Sequence, residues 1–300
     1  MIFFDEKEHK YKNKLGESYI STTQFISRFY THFEETEKFW LLYKAIQYCS
    51  QIDKPAKIKK YDLELDQEIN SCIFTAQEYA RIIQYTFRQC NKNDALLRSY
   101  FSYKDLLVLD VACIKIKNHW AKLNLKSTDK GTAFHNWKED KQFRDGKYTI
   151  NGTDYKVIQR EKINLSNLEV GIHPEVRMWN DQYKLAGTAD QVVVLPGRKI
   201  LIRDFKTNIE LKYENKYEKM LDPISHLDNC NIVHYNIQLS IYGWMLEQFG
   251  YECLGLEIEH YDLKEEGNKW RIQEETAIPL QYMKNTVLDM LKHGGHNRGV

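Results

Sequence analysis

Two runs of Val, Ile and Leu, Gln191-Val192-Val193-Val194-Leu195 and Lys199-Ile200-Leu201-Ile202-Arg203-Asp204-Phe205, face each other across Pro196-Gly197. Branched aliphatic residues favour strands and Pro-Gly marks a turn, so the segment predicts a buried β-hairpin. Its closure decides which side chains become neighbours. Pairing Leu195 with Lys199 places Asp190 opposite Asp204. A loop one residue shorter places Asp190 opposite Arg203, with Asp204 diagonal to it. Directly opposed residues hold their Cβ atoms about 4.5–5.5 Å apart, and strand alternation puts Asp204 and Lys206 on one face. Two carboxylates and an ammonium therefore converge at the end of an apolar hairpin.

Carboxylates so placed repel each other unless a cation lies between them. A hard divalent ion with oxygen ligands, Mg²⁺ or Mn²⁺, meets that need. Lys206 could then orient or deprotonate a water, or stabilise charge growing on a phosphate. The competing reading is an ordinary strand end with a surface Asp–Lys pair of little energetic consequence. The matching Asp190, just after Gly187-Thr188-Ala189, favours the functional reading.

The rest of the chain changes character along its length. Residues 2–20 predict a short hairpin, with Phe3-Phe4 and Tyr19-Ile20 flanking a polar turn at Asn13–Gly16. Residues 21–50 carry Phe25, Phe29, Phe33, Phe39, Leu42 and Ile46 at helical spacing. Residues 62–90 repeat that pattern with Leu65, Ile69, Ile73, Ala76, Ala80, Ile83 and Phe87, and Asp94–Leu125 predicts a further helix. Strands are then expected at Lys156–Ile158, Glu175–Trp179, Gln191–Leu195, Lys199–Phe205 and Leu254–Glu259, in a mainly antiparallel run. Helices are expected again at Val233–Phe249 and Pro279–His293. The fold class is mixed α/β or α+β, a central mixed sheet flanked by helices with a helical N-terminal elaboration. The expected division is 1–125 for the N-terminal hairpin and helices and 126–300 for the core, together one compact body.

Composition narrows the function. Lys+Arg 43 against Asp+Glu 42 leaves a net charge of +1. Any nucleic-acid partner must therefore be held by a local basic patch. No stretch approaches the roughly 20 apolar residues of a membrane span. The start, charged from Asp5 on, does not read as a signal peptide. The six cysteines (Cys49, Cys72, Cys90, Cys113, Cys230, Cys253) show no paired spacing. Free thiols in a reducing, cytoplasmic compartment are expected rather than a zinc or iron–sulfur site.

Asp190 followed by Asp204-Phe205-Lys206 resembles the PD-(D/E)XK nuclease motif, and the surroundings resemble its RecB-type branch. That branch adds an upstream Gly-x-x-x-His, matched by Gly131-Thr132-Ala133-Phe134-His135, and a Glu before the first motif Asp, matched by Glu175. It also has a downstream Gln-x-x-x-Tyr, matched by Gln238-Leu239-Ser240-Ile241-Tyr242. The elements occur in the family's order between Gly131 and Tyr242. Ala189 stands where the conventional motif has Pro, as is usual in this branch. The resemblance implies a restriction-endonuclease-like core and a metal held by His135, Asp190, Asp204 and the Phe205 backbone carbonyl. Glu175 would support that metal through water or bind a second one, with Glu169 a less well-matched substitute. It implies that Lys206 positions the nucleophilic water, and that Gln238 and Tyr242 brace the Lys206 region and contact the nucleic-acid backbone. His173, His234 and His260 are expected to be non-ligands. Some relatives hold an iron–sulfur cluster through a C-terminal cysteine trio; none occurs here, so no cluster is expected. No phosphate-loop motif is present, so no motor is expected in this chain.

From Phe101 to Ile163 there are 13 Lys+Arg against 8 Asp+Glu. Lys115, Lys117, Lys122, Lys126 and Lys130 are the candidate phosphate contacts, with Lys54, Lys57, Lys59 and Lys60 a shorter basic run. Tyr100, Phe101, Tyr103 and Trp120 are candidates for base stacking or for core packing. Residues 21–125 are expected either to wall the active site for a threaded single strand or merely to bury their own apolar faces. The favoured expectation is a Mg²⁺- or Mn²⁺-dependent exonuclease acting on free or single-stranded DNA ends. A small domain without a motor suits a phage-encoded enzyme whose helicase or recombination partner is a separate chain. The rivals are an endonuclease of the same fold and a catalytically inactive nucleic-acid-binding protein.

Overall fold

In the computed structural model, the N-terminal residues form a three-stranded meander rather than one hairpin: β1 (Ile2–Asp5), β2 (Lys10–Asn13) and β3 (Ser18–Ser21). The structure describes residues 2–5, 10–31, 33–49, 77–78, 81–82, 93–150, 152–158, 164–208, 210–216, 218–266 and 269–294. The expected polar turn joins β2 to β3, with Gly16 at φ 79°, where a side chain would be strained. Ser21 ends β3 and starts α1 (Thr22–Ser27) through a reciprocal capping box with Gln24.

The chain divides into two compact units, Met1–Thr31 with Asp129–Val300, and His32–Thr128. The second contains α2 (Phe33–Tyr48), α3 (Asp94–Arg98) and most of α4 (Tyr103–Asp145). Its core includes Phe39, Leu42, Ala45, Ile46, Leu97, Leu109, Ala112 and Ile116, three of which belong to the face read from the 3–4 spacing, whereas Phe25 and Phe29 of that face pack in the first unit, on α1 and just after it. The helix expected over 62–90 lies outside the described residues except at 77–78 and 81–82, which are helical. The Lys54–Lys60 run lies outside them entirely. The helix expected over Asp94–Leu125 is broken after Arg98 and resumes at Tyr103, then continues past Leu125 to Asp145 as one 43-residue element, because Gly131 alone is too mild a breaker to stop it.

The first unit carries the sheet. A small hairpin, β4 (Lys147–Ile150) and β5 (Thr153–Lys156), precedes β6 (Gly171–Asn180), β7 (Leu185–Leu195) and β8 (Lys199–Lys206). Then follow α5 (Asn231–Glu247), β9 (Glu252–Glu266), β10 (Lys269–Leu280) and α6 (Lys284–Gly294). The strand order is β1-β2-β3-β7-β8-β9-β10, with β6 on the other edge of β7. The β3/β7 and β8/β9 pairs are parallel and the rest antiparallel, so the sheet is mixed. The Pro196-Gly197 hairpin closes in the Leu195↔Lys199 register.

Three further expectations change. The N-terminal residues, expected to belong with the helical elaboration, join the core unit because β3 adds a strand to β7. The boundary falls inside α4 at 128/129 rather than at 125/126. The helix expected from Pro279 begins at Lys284; Pro279 is the next-to-last residue of β10, an edge strand, where proline is tolerated.

The core lies where α5 covers one face of the hairpin, packing against Val192, Val194, Ile200 and Ile202. Leu239 through Leu246 are all buried, so α5 is apolar around most of its circumference, as an interior helix must be. Each aliphatic side chain so buried contributes about 1.5–3 kcal/mol. Alternation along β8 then puts Asp204 and Lys206 on the α5 side, where the Lys206 ammonium meets the Tyr235 ring.

Candidate metal centre

The site forms where β7 and β8 part. Their ladder ends at Gln191↔Arg203, one step before Asp190 would meet Asp204. On that edge β3 pairs with Leu185 and Ala186 of the same strand, so residues 187–190 face a gap between β3 and β8. Asp190 fills it with its side chain: Oδ2 accepts the Phe205 backbone N–H at 2.7 Å, replacing the missing ladder bond. Gly187 is required here. A Cβ on it would lie 2.4 Å from Tyr242 Cε1 and 2.6 Å from Thr22 Oγ1. Thr188 is held by Tyr11, whose hydroxyl lies 3.0 Å from Thr188 Oγ1.

Glu175 enters from the opposite edge. Pro174 pairs with Gln191 and Val176 with Ala189, so Glu175 stands directly across from Asp190. It has φ 52°, a left-handed conformation unusual for a non-glycine within a strand and the kind of strain that collects at functional sites. From α4 comes His135, with Nδ1 3.4 Å from Asp190 Oδ2. His135, Glu175 and Asp190 each offer one ligand atom, all within 4.8 Å of one another. A nitrogen and two carboxylate oxygens at that separation suit a divalent cation with ligand distances of about 2.0–2.2 Å.

The electrostatics agree with that fit. Burial, Asp204 and Glu175 push the Asp190 carboxyl well above its ordinary value, against the pull of Lys206 and the Phe205 N–H. A cation would relieve that repulsion. Burial pushes the His135 imidazole below its usual range, opposed by Asp204 and by a hydrogen bond to the Phe205 backbone. It is thereby biased toward the neutral form that ligates metals. Lys206 is pushed upward, its burial outweighed by Asp204 and Asp190, so it stays protonated at neutral pH.

The expected residues therefore assemble, with differences. Asp204, expected as a ligand, lies outside the three-residue group and forms an ion pair with Lys206. Tyr242 is buried at 3% exposure beneath Gly187, its hydroxyl accepting from Gln238 Nε2 at 3.0 Å. It supports β7 at Gly187 and is too deep for the expected backbone contact with nucleic acid. Bracing of Lys206 falls to Tyr235, two turns before Tyr242 on α5, whose ring centroid is 4.8 Å from the ammonium and whose hydroxyl donates to Asn208 Oδ1 at 2.9 Å. The i, i+3, i+7 spacing of Tyr235, Gln238 and Tyr242 is the signal that could have revealed it.

His173, His234 and His260 bond the Glu169 carbonyl, Asn229 Oδ1 and the Asn208 carbonyl respectively. Of the candidate phosphate contacts, Lys117, Lys122 and Lys126 are exposed and Lys115 half-buried, all in the second unit. Lys117 pairs with Glu37 at 2.7 Å. Lys130 departs from expectation: it is buried, its ammonium 5.4 Å from the Trp270 ring centre. Among the described residues no cysteines gather into a metal-binding group, and no helix is long and apolar enough to cross a membrane. Cys72 and Cys90 lie outside the described residues.

No protein-family model and no curated protein matches the chain. Among solved structures, the crystal structure of SSO0001 is similar over 71% of this chain and 69% of that one, at 13% identity and a TM-score of 0.26. A likeness that slight carries no argument about this protein.

Proposed function

We propose that the chain is a metal-dependent deoxyribonuclease of the PD-(D/E)XK type, hydrolysing phosphodiester bonds at free or single-stranded DNA ends. The observation that carries this reading is the convergence of His135, Glu175 and Asp190 within 4.8 Å of one another, beside the Asp204–Lys206 ion pair. A histidine and two carboxylates supply donors for Mg²⁺ or Mn²⁺, and an adjacent protonated lysine is what phosphoryl chemistry adds to such a site.

His135, Glu175 and Asp190 would hold the ion, which when bound lowers the pKa of water and offsets charge on the scissile phosphate. Asp204 holds Lys206 in place and keeps it charged. Because Lys206 remains an ammonium, it acts as a hydrogen-bond donor that orients the attacking water and stabilises negative charge on the phosphate. Proton abstraction by Lys206, allowed by the sequence, is disfavoured by those two carboxylates. Tyr235 restrains the ammonium from α5.

The test incubates end-labelled linear and closed-circular DNA, single- and double-stranded, with Mg²⁺, Mn²⁺ or EDTA. Metal-dependent loss of linear but not circular DNA supports the proposal. Cutting of circles replaces it with an endonuclease. Binding without cutting in every metal overturns the enzyme reading in favour of a nucleic-acid-binding protein.

A further inference from the structure

Behind the metal centre lies a second group of buried charges that the proposed chemistry does not use. Lys138, one helical turn beyond His135 on α4, has its Nζ 3.1 Å from Glu259 Oε2 and hydrogen-bonded to the Tyr261 hydroxyl. The same ammonium sits 5.1 Å from the centre of the Phe205 ring. Glu259 also accepts from Arg203 Nη1 and the Tyr148 hydroxyl, both at 3.0 Å. Arg203 reaches on to Glu257 at 2.8 Å. Burial pushes the Glu259 carboxyl up, but Lys138, Tyr261 and Arg203 together bring it below its usual range. The group sets Lys138 and Arg203 against Glu259 and Glu257, with a third carboxylate, Glu275, 3.0 Å from the Tyr261 hydroxyl.

A buried ionic network is weak support for stability compared with apolar packing of the same volume. What this one does is join three elements at fixed distances. It holds α4 through Lys138, β8 through Arg203 and the Phe205 ring, and β9 through Glu259. The metal centre hangs on two of them. His135 projects from α4, while Phe205 donates its backbone N–H to Asp190 and its chain neighbours are Asp204 and Lys206. The 3.4 Å approach of His135 to Asp190 thus depends on how α4 is seated against β8.

We propose that Lys138 is a positioning residue for the metal centre: clamped by Glu259, Tyr261 and the Phe205 ring, it seats α4 so that the His135 imidazole meets the Asp190 carboxylate. This inference rests on the reading of His135 and Asp190 as metal ligands. Supporting groups behind metal ligands commonly control affinity in this way, and their loss costs about 10–100-fold.

The test is Mn²⁺ binding to the full chain by isothermal titration calorimetry, which needs no activity. Lys138→Met should bind Mn²⁺ about 10–100-fold more weakly than wild type, and Lys138→Arg, which keeps a cation at Glu259 and over the ring, should recover most of that loss. Met290→Ala removes a fully buried core side chain on α6 and should keep wild-type affinity while losing thermal stability. If Lys138→Met fails to fold, Glu259→Gln decides in its place, with weakened binding expected. Wild-type affinity in folded Lys138→Met, or an equal affinity loss in Met290→Ala, overturns the positioning role alone. Absence of Mn²⁺ binding by wild type overturns the metal centre and this role together.

Discussion

Replacing Asp190 with Asn should stabilise the metal-free protein and remove its response to metal. In the folded state Asp190 is pushed well above its ordinary value of about 3.8 by burial, Asp204 and Glu175. The folded protein therefore holds this proton more tightly than the unfolded chain does. Between about 3.8 and the raised folded value, stability falls as pH rises, so at neutral pH this side chain works against folding. Asn removes that charge, yet its side-chain oxygen can still accept the Phe205 N–H that Asp190 takes at 2.7 Å. In EDTA the variant should melt above wild type at neutral pH, with the gap closing as pH approaches about 4. Metal reverses the order. An ion at 100 times its Kd stabilises the folded state by about 2.7 kcal/mol. For a unit of roughly 200 residues, each kcal/mol moves Tm by about 2–4 °C. Saturating Mn²⁺ should thus raise the wild-type Tm by about 5–11 °C and leave Asp190→Asn nearly where it was. Scanning calorimetry across pH, with Mn²⁺ or EDTA, makes the comparison. A variant less stable than wild type in neutral EDTA, or one that gains as much from Mn²⁺, refutes the reasoning.

Asp204→Ala and Lys206→Ala should each lose at least about 10²-fold in cleavage rate on end-labelled single-stranded DNA while remaining folded. Lys206→Ala should still bind Mn²⁺, and full activity in either variant removes that residue from the site. Gly187→Ala drives a methyl into Tyr242 Cε1 and Thr22 Oγ1 and should cost about 1–3 kcal/mol in chemical denaturation; unchanged stability would mean that β7 at Gly187 is not packed against Tyr242 as described. Reversing Lys115, Lys117, Lys122 and Lys126 to Glu should weaken single-strand binding. Each lost phosphate contact should flatten the log–log salt slope by roughly 0.7. Thermal stability should stay near wild type, since a surface pair such as Lys117–Glu37 contributes little. Unchanged binding and salt slope would show that this stretch is not a DNA contact.

The parts of the fold legible in the sequence are those fixed by local rules. Pro196-Gly197 and the flanking aliphatic alternation specify the turn and leave two registers, of which the one that forms, Leu195↔Lys199, is the one that sets Asp190 toward Asp204. The buried stretch of α5 is legible for the same reason. β10 was not: Arg271, Glu274 and Glu275 give it no apolar run, and a register shift between Ile272 and Glu274 breaks its alternation. The meander looks like one hairpin in sequence because its middle strand, Lys10–Asn13, is short and mostly polar. The meeting of His135 with Asp190 joins residues 55 positions apart and depends on α4 running unbroken through Gly131, which no spacing rule supplies; only the family resemblance pointed to it. Lys130 and Lys138 show the same limit from the other side. In sequence both are members of a basic run, and only the tertiary fold reveals that one is buried near an indole and the other holds a carboxylate in the interior.

The most direct test of the central claim is the anomalous-scattering map of crystals soaked in Mn²⁺. It should show one strong peak bounded by a His135 ring nitrogen and by carboxylate oxygens of Glu175 and Asp190, each at about 2.0–2.3 Å, with the Lys206 ammonium beside it and outside its coordination sphere. An ordered site without a peak, or a peak held by carboxylates with the His135 imidazole turned away, would contradict it.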